Sequence, residues 1–251
     1  MCNANYWCKE MIGIIGYGVI GKVTHEALFP STDVLIHDIT MDSKISNLFG
    51  CDIVFICTPT NNESDILTIK GIIGLFSKNS PETEMVVRST ITPGFFDGCV
   101  GNVSYLPEFL RERMALSDAK KSKNMLYATN TERSKLNNYD FSSKLIEVSF
   151  SELEIVKLMS NNYYSMKVVF ANHFYDLCQR HGVNYDDLLE TFEMCKNGQS
   201  YMDVNESLRG YGGKCLPKDI DFAISIFDGA DLFKAIQNDN AKWPTTIRKD
   251  T

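Results

Sequence analysis

Met11-Ile12-Gly13-Ile14-Ile15-Gly16-Tyr17-Gly18-Val19-Ile20-Gly21 is the stretch that decides the fold of this chain. A short apolar, β-prone run leads into glycines spaced G-x-G-x-x-G, and a helical stretch through Ala27 and Leu28 follows. In a strand–turn–helix setting Gly16 supplies the tight bend, Gly18 lets a pyrophosphate approach the backbone, and Gly21 lets helix and strand pack closely. The phosphates would rest on backbone N–H groups at the helix start, around Val19 and Ile20. The next strand opens at Val34 and runs to Asp38, 17 residues after Gly21. A carboxylate there accepts hydrogen bonds from ribose hydroxyls and repels a 2′-phosphate, so the expected cofactor is NAD rather than NADP.

Working outward, strand-like apolar runs recur at residues 11–15, 34–36, 53–57, 85–88, 103–105, 125–128 and 146–148, with a helical pattern at 66–76. This alternation predicts an α/β fold, a Rossmann-type doubly wound parallel sheet with helices on both faces. After about residue 150 the pattern changes. Residues 152–181 hold no Gly or Pro, and Ile155, Leu158, Met159, Tyr163, Met166 and Val169 recur at helical spacing. Such a helix would be roughly 45 Å long, more than one small domain needs, so part of it is expected to pack against a second copy as a homodimer. Gly182 should stop it, and helices at 185–193, 220–227 and 232–240 should complete an all-helical dimerisation domain. The organisation expected is an extension (1–10), a NAD-binding domain (11–150), a helical domain (151–240) and a tail (241–251).

The 251 residues suffice for two domains with real cores, and a composition of 44% hydrophobic and 23% charged residues is that of an ordinary globular protein. A net charge of −7 gives no reason to expect nucleic acid or an anionic membrane as partner. No apolar run approaches the roughly 20 residues of a membrane span, and residues 1–10 hold no signal-peptide core. The eight cysteines are scattered without a CxxC pair, which reads as reduced thiols in a cytoplasmic protein. His25, His37, His173 and His181 show no metal-ligand spacing, so no metal is expected.

A second stretch carries the chemistry. Gly212-Gly213-Lys214-Cys215-Leu216-Pro217-Lys218-Asp219 places a cysteine two residues before a proline suited to open a helix. Cys215 would then stand at a helix N-terminus, where the dipole favours a thiolate. Asp219 would lie one turn further in on the same face. A buried, inert thiol is the competing reading.

Taken with four further motifs, the chain resembles the UDP-glucose/GDP-mannose dehydrogenase family. The motifs are Cys57-Thr58-Pro59-Thr60-Asn61, Arg88-Ser89-Thr90-Ile91-Thr92-Pro93-Gly94, Pro107-Glu108-Phe109-Leu110-Arg111-Glu112 and Lys157-Leu158-Met159-Ser160-Asn161, in the family's order between the glycine turn and Gly210-Tyr211-Gly212-Gly213-Lys214-Cys215. The resemblance implies NAD-dependent four-electron oxidation of a nucleotide sugar's C6 alcohol to a uronic acid through a thiohemiacetal and thioester on Cys215. Lys157 and Asn161, four apart on the long helix, would stabilise the oxyanion. Asp219 would orient or deprotonate a water, or hold Lys157. Glu108 is preferred as base for thioester hydrolysis, Thr90 could position the water, and Glu112 would lie nearer the cofactor. On spacing alone, a Pro-initiated helix with two solvated carboxylates explains Glu108 and Glu112 equally well. By resemblance Thr58, Pro59, Thr60, Thr90, Glu112 and Lys218 border the cofactor. Glu108, Phe109, Leu110, Arg111 and Glu112, with Lys157, Asn161, Tyr211, Gly212 and Gly213, line the substrate.

Two departures stand beside the resemblance. Family members continue into a second α/β domain that grips the nucleotide, for which too few residues follow Cys215 here, and the position of a partner-reaching arginine falls near Gln199, with Arg209 not clearly equivalent. Oxidation of a smaller, non-nucleotide alcohol, or a non-catalytic NAD-binding module assembling with a full-length partner, are therefore the alternatives.

Overall fold

The computed structural model describes residues 11–195, 209–226 and 230–244. The expectations for residues 1–10, Gln199, Phe227 and 245–251, and for the side chain of His173, lie outside the described residues. Two compact units divide after Ile155.

The first unit is built on a sheet of seven strands. They are β1 (Ile12–Ile15), β2 (Val34–His37), β3 (Ile53–Ile56), β4 (Glu84–Val87), β5 (Val103–Tyr105), β6 (Asn124–Thr129) and β7 (Lys144–Glu147), in the order β2-β1-β3-β4-β5-β6-β7. All seven fall on the apolar runs read from the sequence. β1, β3 and β4 are buried along their whole length, as strands covered on both faces must be, and their continuous apolar character reflects it. Ile12, Ile14, Ile53, Phe55 and Val86 form one side of the core with Phe29, Leu106 and Tyr127. Burying each such side chain contributes about 1.5–3 kcal/mol.

The α/β class holds, but the sheet is mixed rather than wholly parallel. β2, β1, β3, β4 and β5 run parallel, whereas β6 pairs antiparallel with β5 through Ser104↔Thr129 and Tyr105↔Ala128, and β7 follows β6 in parallel. Apolar runs do not encode strand direction, so this reversal was invisible to periodicity.

Between the strands lie α1 (Val19–Val23), which continues as a wider π turn over Thr24–Leu28, then α2 (Glu63–Asn79) and α3 (Ala115–Lys121). α2 starts where the Asn62 side chain accepts the Asp65 N–H at 3.1 Å. A carboxylate holds the far end of β4. Glu84, fully buried, accepts hydrogen bonds from Ser104 Oγ, Ser134 Oγ and the Lys135 N–H at 2.5–2.6 Å, tying β4 to β5 and to the 135–138 turn.

α4 (Phe150–His181) spans the division between the units. It opens on a capping box: Glu152 N donates to Ser149 Oγ at 3.3 Å and the Ser149 N–H to Glu152 Oε2 at 3.0 Å. It ends at Gly182, whose φ of +66° lets Val183 N reach back to Cys178 O at 3.0 Å, the stop expected from sequence. The second unit continues with α5 (Tyr185–Cys195), α6 (Leu216–Ile226) and α7 (Asp231–Asn240), around a core of Val169, Tyr211, Ile220 and Ile236. Among the described residues no helix is long and apolar enough to cross a membrane.

Candidate active site

The glycine turn leaves β1 beside β3, where the strand order reverses direction and open α/β sheets bind ligands at their carboxyl edge. Each glycine has its own constraint. Gly16 has φ +86°, and a Cβ on it would stand 2.9 Å from Cys57 O. A Cβ on Gly21 would fall 2.1 Å from Gly16 O, so only glycine lets α1 close onto the turn. A Cβ on Gly18 would meet nothing within 4 Å, which leaves that backbone open to a ligand.

Asp38, just past β2, is bound into this turn. Its Oδ2 accepts the Tyr17 N–H at 2.7 Å, and its Oδ1 accepts the Thr40 N–H at 2.9 Å and hydroxyl at 2.7 Å. The Tyr17 N–H, then Thr40, hold its carboxyl below the usual aspartate range. An ionised carboxylate has about four acceptor sites, so room remains for ribose hydroxyls. The next motif ends β3. Ser89 Oγ donates to Thr58 O at 2.5 Å and the buried Thr60 Oγ1 to Thr90 O at 2.7 Å, which joins the 58–60 and 89–90 segments side by side. Pro59 is exposed, and Thr58 Oγ1 is buried with no hydrogen-bond partner among the described residues.

The Pro-initiated helix over Glu108 and Glu112 does not form. Residues 107–111 are irregular and Glu112 begins a 3₁₀ turn over Glu112–Met114, so the two carboxylates share no helical face. The backbone before Pro107 is already committed, since Leu106 N donates to Val87 O at 2.9 Å in extension of the sheet. Glu108 is buried and its Oε2 accepts the Leu110 N–H at 2.8 Å, whereas Glu112 is half-buried and Phe109 exposed. Arg111 is engaged with Asp118 through Nε at 2.9 Å and Nη2 at 2.7 Å.

In the second unit the polar residues converge. Lys157 is 1% exposed, and its Nζ donates to Asn161 Oδ1 at 3.3 Å. Asn161 Nδ2 donates to Asp219 Oδ2. Asp219 is 0% exposed, and Lys218 Nζ stands 3.2 Å from its Oδ1, an ion pair whose angle makes no hydrogen bond. The solvated-lysine reading of Lys157 is therefore excluded. Cys215 immediately precedes α6, half-buried and free, and its carbonyl accepts the Asp219 N–H at 2.9 Å in the helix's first turn. Pro217 is the second residue of α6 rather than the first.

The loop leading to Cys215 is fixed by a residue the motifs did not reveal. Asn240, the last residue of α7, accepts the Tyr211 N–H at 2.7 Å and donates to Tyr211 O at 3.0 Å, with Gly212 and Gly213 following. Burial pushes the Tyr211 hydroxyl up to about 12. Arg209 is taken up internally: Nε donates to Asn172 Oδ1 at 3.1 Å, Nη2 to Asp176 Oδ1 at 2.5 Å, and its guanidinium lies over Tyr175 and Trp243. The other thiols differ from Cys215 in setting, because burial pushes Cys51 and Cys57 up to about 11 and keeps them protonated.

Comparison with known proteins agrees with the motif order. Residues 151–241 match the UDP-glucose/GDP-mannose dehydrogenase family, central domain. UDP-glucose 6-dehydrogenase of Rickettsia typhi (strain ATCC VR-144 / Wilmington) is 28% identical over 204 residues, 70% of this chain and 46% of the relative. That of Campylobacter jejuni subsp. jejuni serotype O:2 is 27% identical over 213 residues, 76% of this chain and 53% of the relative. The chain thus spans about half the length of the curated relatives it matches. A UDP-glucose dehydrogenase structure from the hyperthermophilic archaeon Pyrobaculum islandicum superposes with a TM-score of 0.78 at 20% identity, over 96% of this chain and 70% of that one, and shows the fold. The resemblance drawn from the motifs is borne out by these matches.

The Asp38 clasp has a pH signature. A carboxyl held below its unfolded value stabilises the fold above that value, and the gain is lost as pH falls through the folded one. Asp38→Ala should cost about 1 kcal/mol at pH 7 by urea denaturation. The gap from wild type should stay constant down to about pH 5 and shrink below about pH 3.9. A gap that widens in acid would contradict the clasp.

Proposed function

We propose that this chain, whose residues 151–241 match the UDP-glucose/GDP-mannose dehydrogenase family's central domain, carries out NAD-dependent four-electron oxidation of a nucleotide sugar's C6 alcohol to the uronic acid. The observation that supports this best is the buried Lys157–Asn161–Asp219 chain beside the first turn of α6, which begins at Cys215. A lysine, an amide and a carboxylate withdrawn together from water are costly to a fold that does not use them.

The residues of the first unit suit NAD. Gly18 leaves the turn open, the N–H groups around Val19 and Ile20 suit a pyrophosphate, and ionised Asp38 favours free ribose hydroxyls over a 2′-phosphate. NAD, when bound, accepts hydride from the sugar carbon. Thr58, Pro59, Thr60, Thr90, Glu112 and Lys218 are the further residues assigned to it.

Cys215 has the role of nucleophile. Its sulfur attacks the aldehyde carbon formed by the first oxidation, a C–S bond forms, and the carbonyl electron pair moves to oxygen. Lys157 Nζ and Asn161 Nδ2 are the donors proposed to stabilise that oxyanion, with Asp219 holding Asn161 in orientation. The second oxidation leaves an acyl group on sulfur. Water then adds to the acyl carbon, the C–S bond breaks, and the thiolate departs from a carboxylate whose second oxygen came from the water. Glu108 is assigned to take the water's proton and Thr90 to position the water. Substrate contacts are assigned to Phe109, Leu110, Arg111, Tyr211, Gly212 and Gly213.

We further propose a homodimer through α4. Ile155, Met159 and Tyr163, at successive i, i+4 positions, are 55%, 63% and 51% exposed, an apolar stripe that a second copy would cover. Sedimentation of the full chain should give a dimer, and Met159→Glu with Tyr163→Glu a monomer. A wild-type monomer at tens of micromolar, or an unaffected double variant, would refute the interface.

The activity test is NADH formation with UDP-glucose, UDP-N-acetyl sugars and GDP-mannose in turn. Two NADH per sugar consumed, with turnover reduced at least a thousandfold in Cys215→Ala, is the expected result. Undiminished acid formation by Cys215→Ala would refute the thioester route. NAD binding without turnover of any sugar would favour a smaller alcohol or a module serving a partner chain.

A further inference from the structure

Apart from the glycine turn and the thiol set, the first unit holds a cavity of about 290 Å³, near the lower end of the range that takes a small organic molecule. Its lining includes none of Gly16–Gly21, Asp38 or Thr58–Thr60. Val23, Leu28 and Met125 make an apolar side, while Arg88, Glu108 and Lys121 bring charge to it.

Arg88 sets the cavity apart. It directly follows β4, the middle strand of the sheet, and is 5% exposed. Its Nε and Nη1 are sealed from solvent, and neither has a hydrogen-bond partner among the described residues. A guanidinium offers five N–H donors and no acceptor, and leaving such donors desolvated costs several kcal/mol. Burial lowers the Arg88 pKa, and proximity to Cys57 and Glu108 only partly opposes this.

The anionic groups of the protein are engaged elsewhere or absent. Glu108 Oε2 accepts the Leu110 N–H, and Asp118, also in the wall, is held by the Arg111 side chain and its N–H. Cys57, pushed up to about 11 by burial, is a neutral thiol. Lys121 adds a second positive charge on the exposed side. With Asp118 matched by Arg111, the charge left in the wall is positive, and the sealed N–H groups lack an acceptor.

We propose that this cavity binds a small organic anion, its carboxylate or phosphate group on Arg88 and its apolar body against Val23, Leu28 and Met125. Both groups are compact oxyanions with the acceptors a guanidinium needs. The apolar side adds selectivity for a ligand carrying a hydrocarbon or ring portion over a bare ion. Because this is a binding claim, it stands or falls independently of the dehydrogenase reaction.

Isothermal titration of the full chain with phenyl phosphate, benzoate and neutral benzyl alcohol tests it. Saturable binding of at least one anion, none of the alcohol, and at least tenfold weaker anion binding in Arg88→Met is the expected pattern. Whichever anion binds more tightly identifies the head group. Methionine replaces an unpaired buried charge with an apolar chain of similar length, a change cores tolerate. Should that variant fail to fold, Ala119→Phe, which fills the cavity from α3 and leaves Arg88 and the glycine turn intact, should abolish binding. Equal binding of benzyl alcohol, no binding of either anion, or anion binding undiminished in Arg88→Met or Ala119→Phe would overturn the proposal.

Discussion

The constraint on which the second unit depends is an inverted helix face. Along α4 the polar residues Lys157, Asn161 and Ser165 follow one another at four-residue spacing and are buried, while the apolar Ile155, Met159 and Tyr163 are exposed. Burial by hydrophobicity alone would give the opposite arrangement. Holding Lys157 away from water is sustainable only because Asn161 accepts from it and Asp219 in turn accepts from Asn161. That chain fixes the first turn of α6 against α4, and Cys215 with it. Asn240 completes the constraint by holding both backbone polar groups of Tyr211, the residue from which the loop to Cys215 departs. The same inversion leaves an apolar stripe outside, so the helix that buries the polar set also offers the surface for a second copy.

The first unit solves a different problem, which is to bring backbone close to an anionic ligand without charged side chains in the turn itself. Gly16 and Gly21 close the turn against β3 and α1, Gly18 leaves it open, and Asp38 anchors it through the Tyr17 N–H. Negative charge at Asp38 and the positive charge left over at Arg88 occupy separate parts of this unit, each at the carboxyl edge of a strand. Thr60, by bonding to Thr90 O, joins the edges of β3 and β4 between them.

How much of this was legible beforehand follows from what a sequence encodes. The strands were readable because those covered on both faces must be apolar throughout, and the end of α4 because Gly182 alone suits its left-handed backbone. The reversal at β6 was not, since direction depends on where the connecting chain travels and leaves no periodic trace. Glu108 and Glu112 looked like a helical pair because Pro107 suits a helix start. Pro also suits an extended chain, and the Leu106–Val87 bond decided for that. Lys157 was legible through its motif, but its burial was not, because polar spacing on a helix ordinarily signals a solvated face. Arg88 stood in a quoted motif without a role. A cation directly after a fully apolar strand was the available signal, and only the packing around it shows its unmatched donors.

The central claim is that Cys215 carries the sugar carbon as an acyl group during turnover. Rapid quenching in acid after mixing the protein with NAD and UDP-glucose, followed by peptide mass spectrometry, addresses it directly. A glucuronyl thioester on the peptide containing Cys215, formed and lost at rates compatible with turnover, is the result this account predicts. Turnover to the uronic acid with Cys215 unmodified at every time point would contradict it.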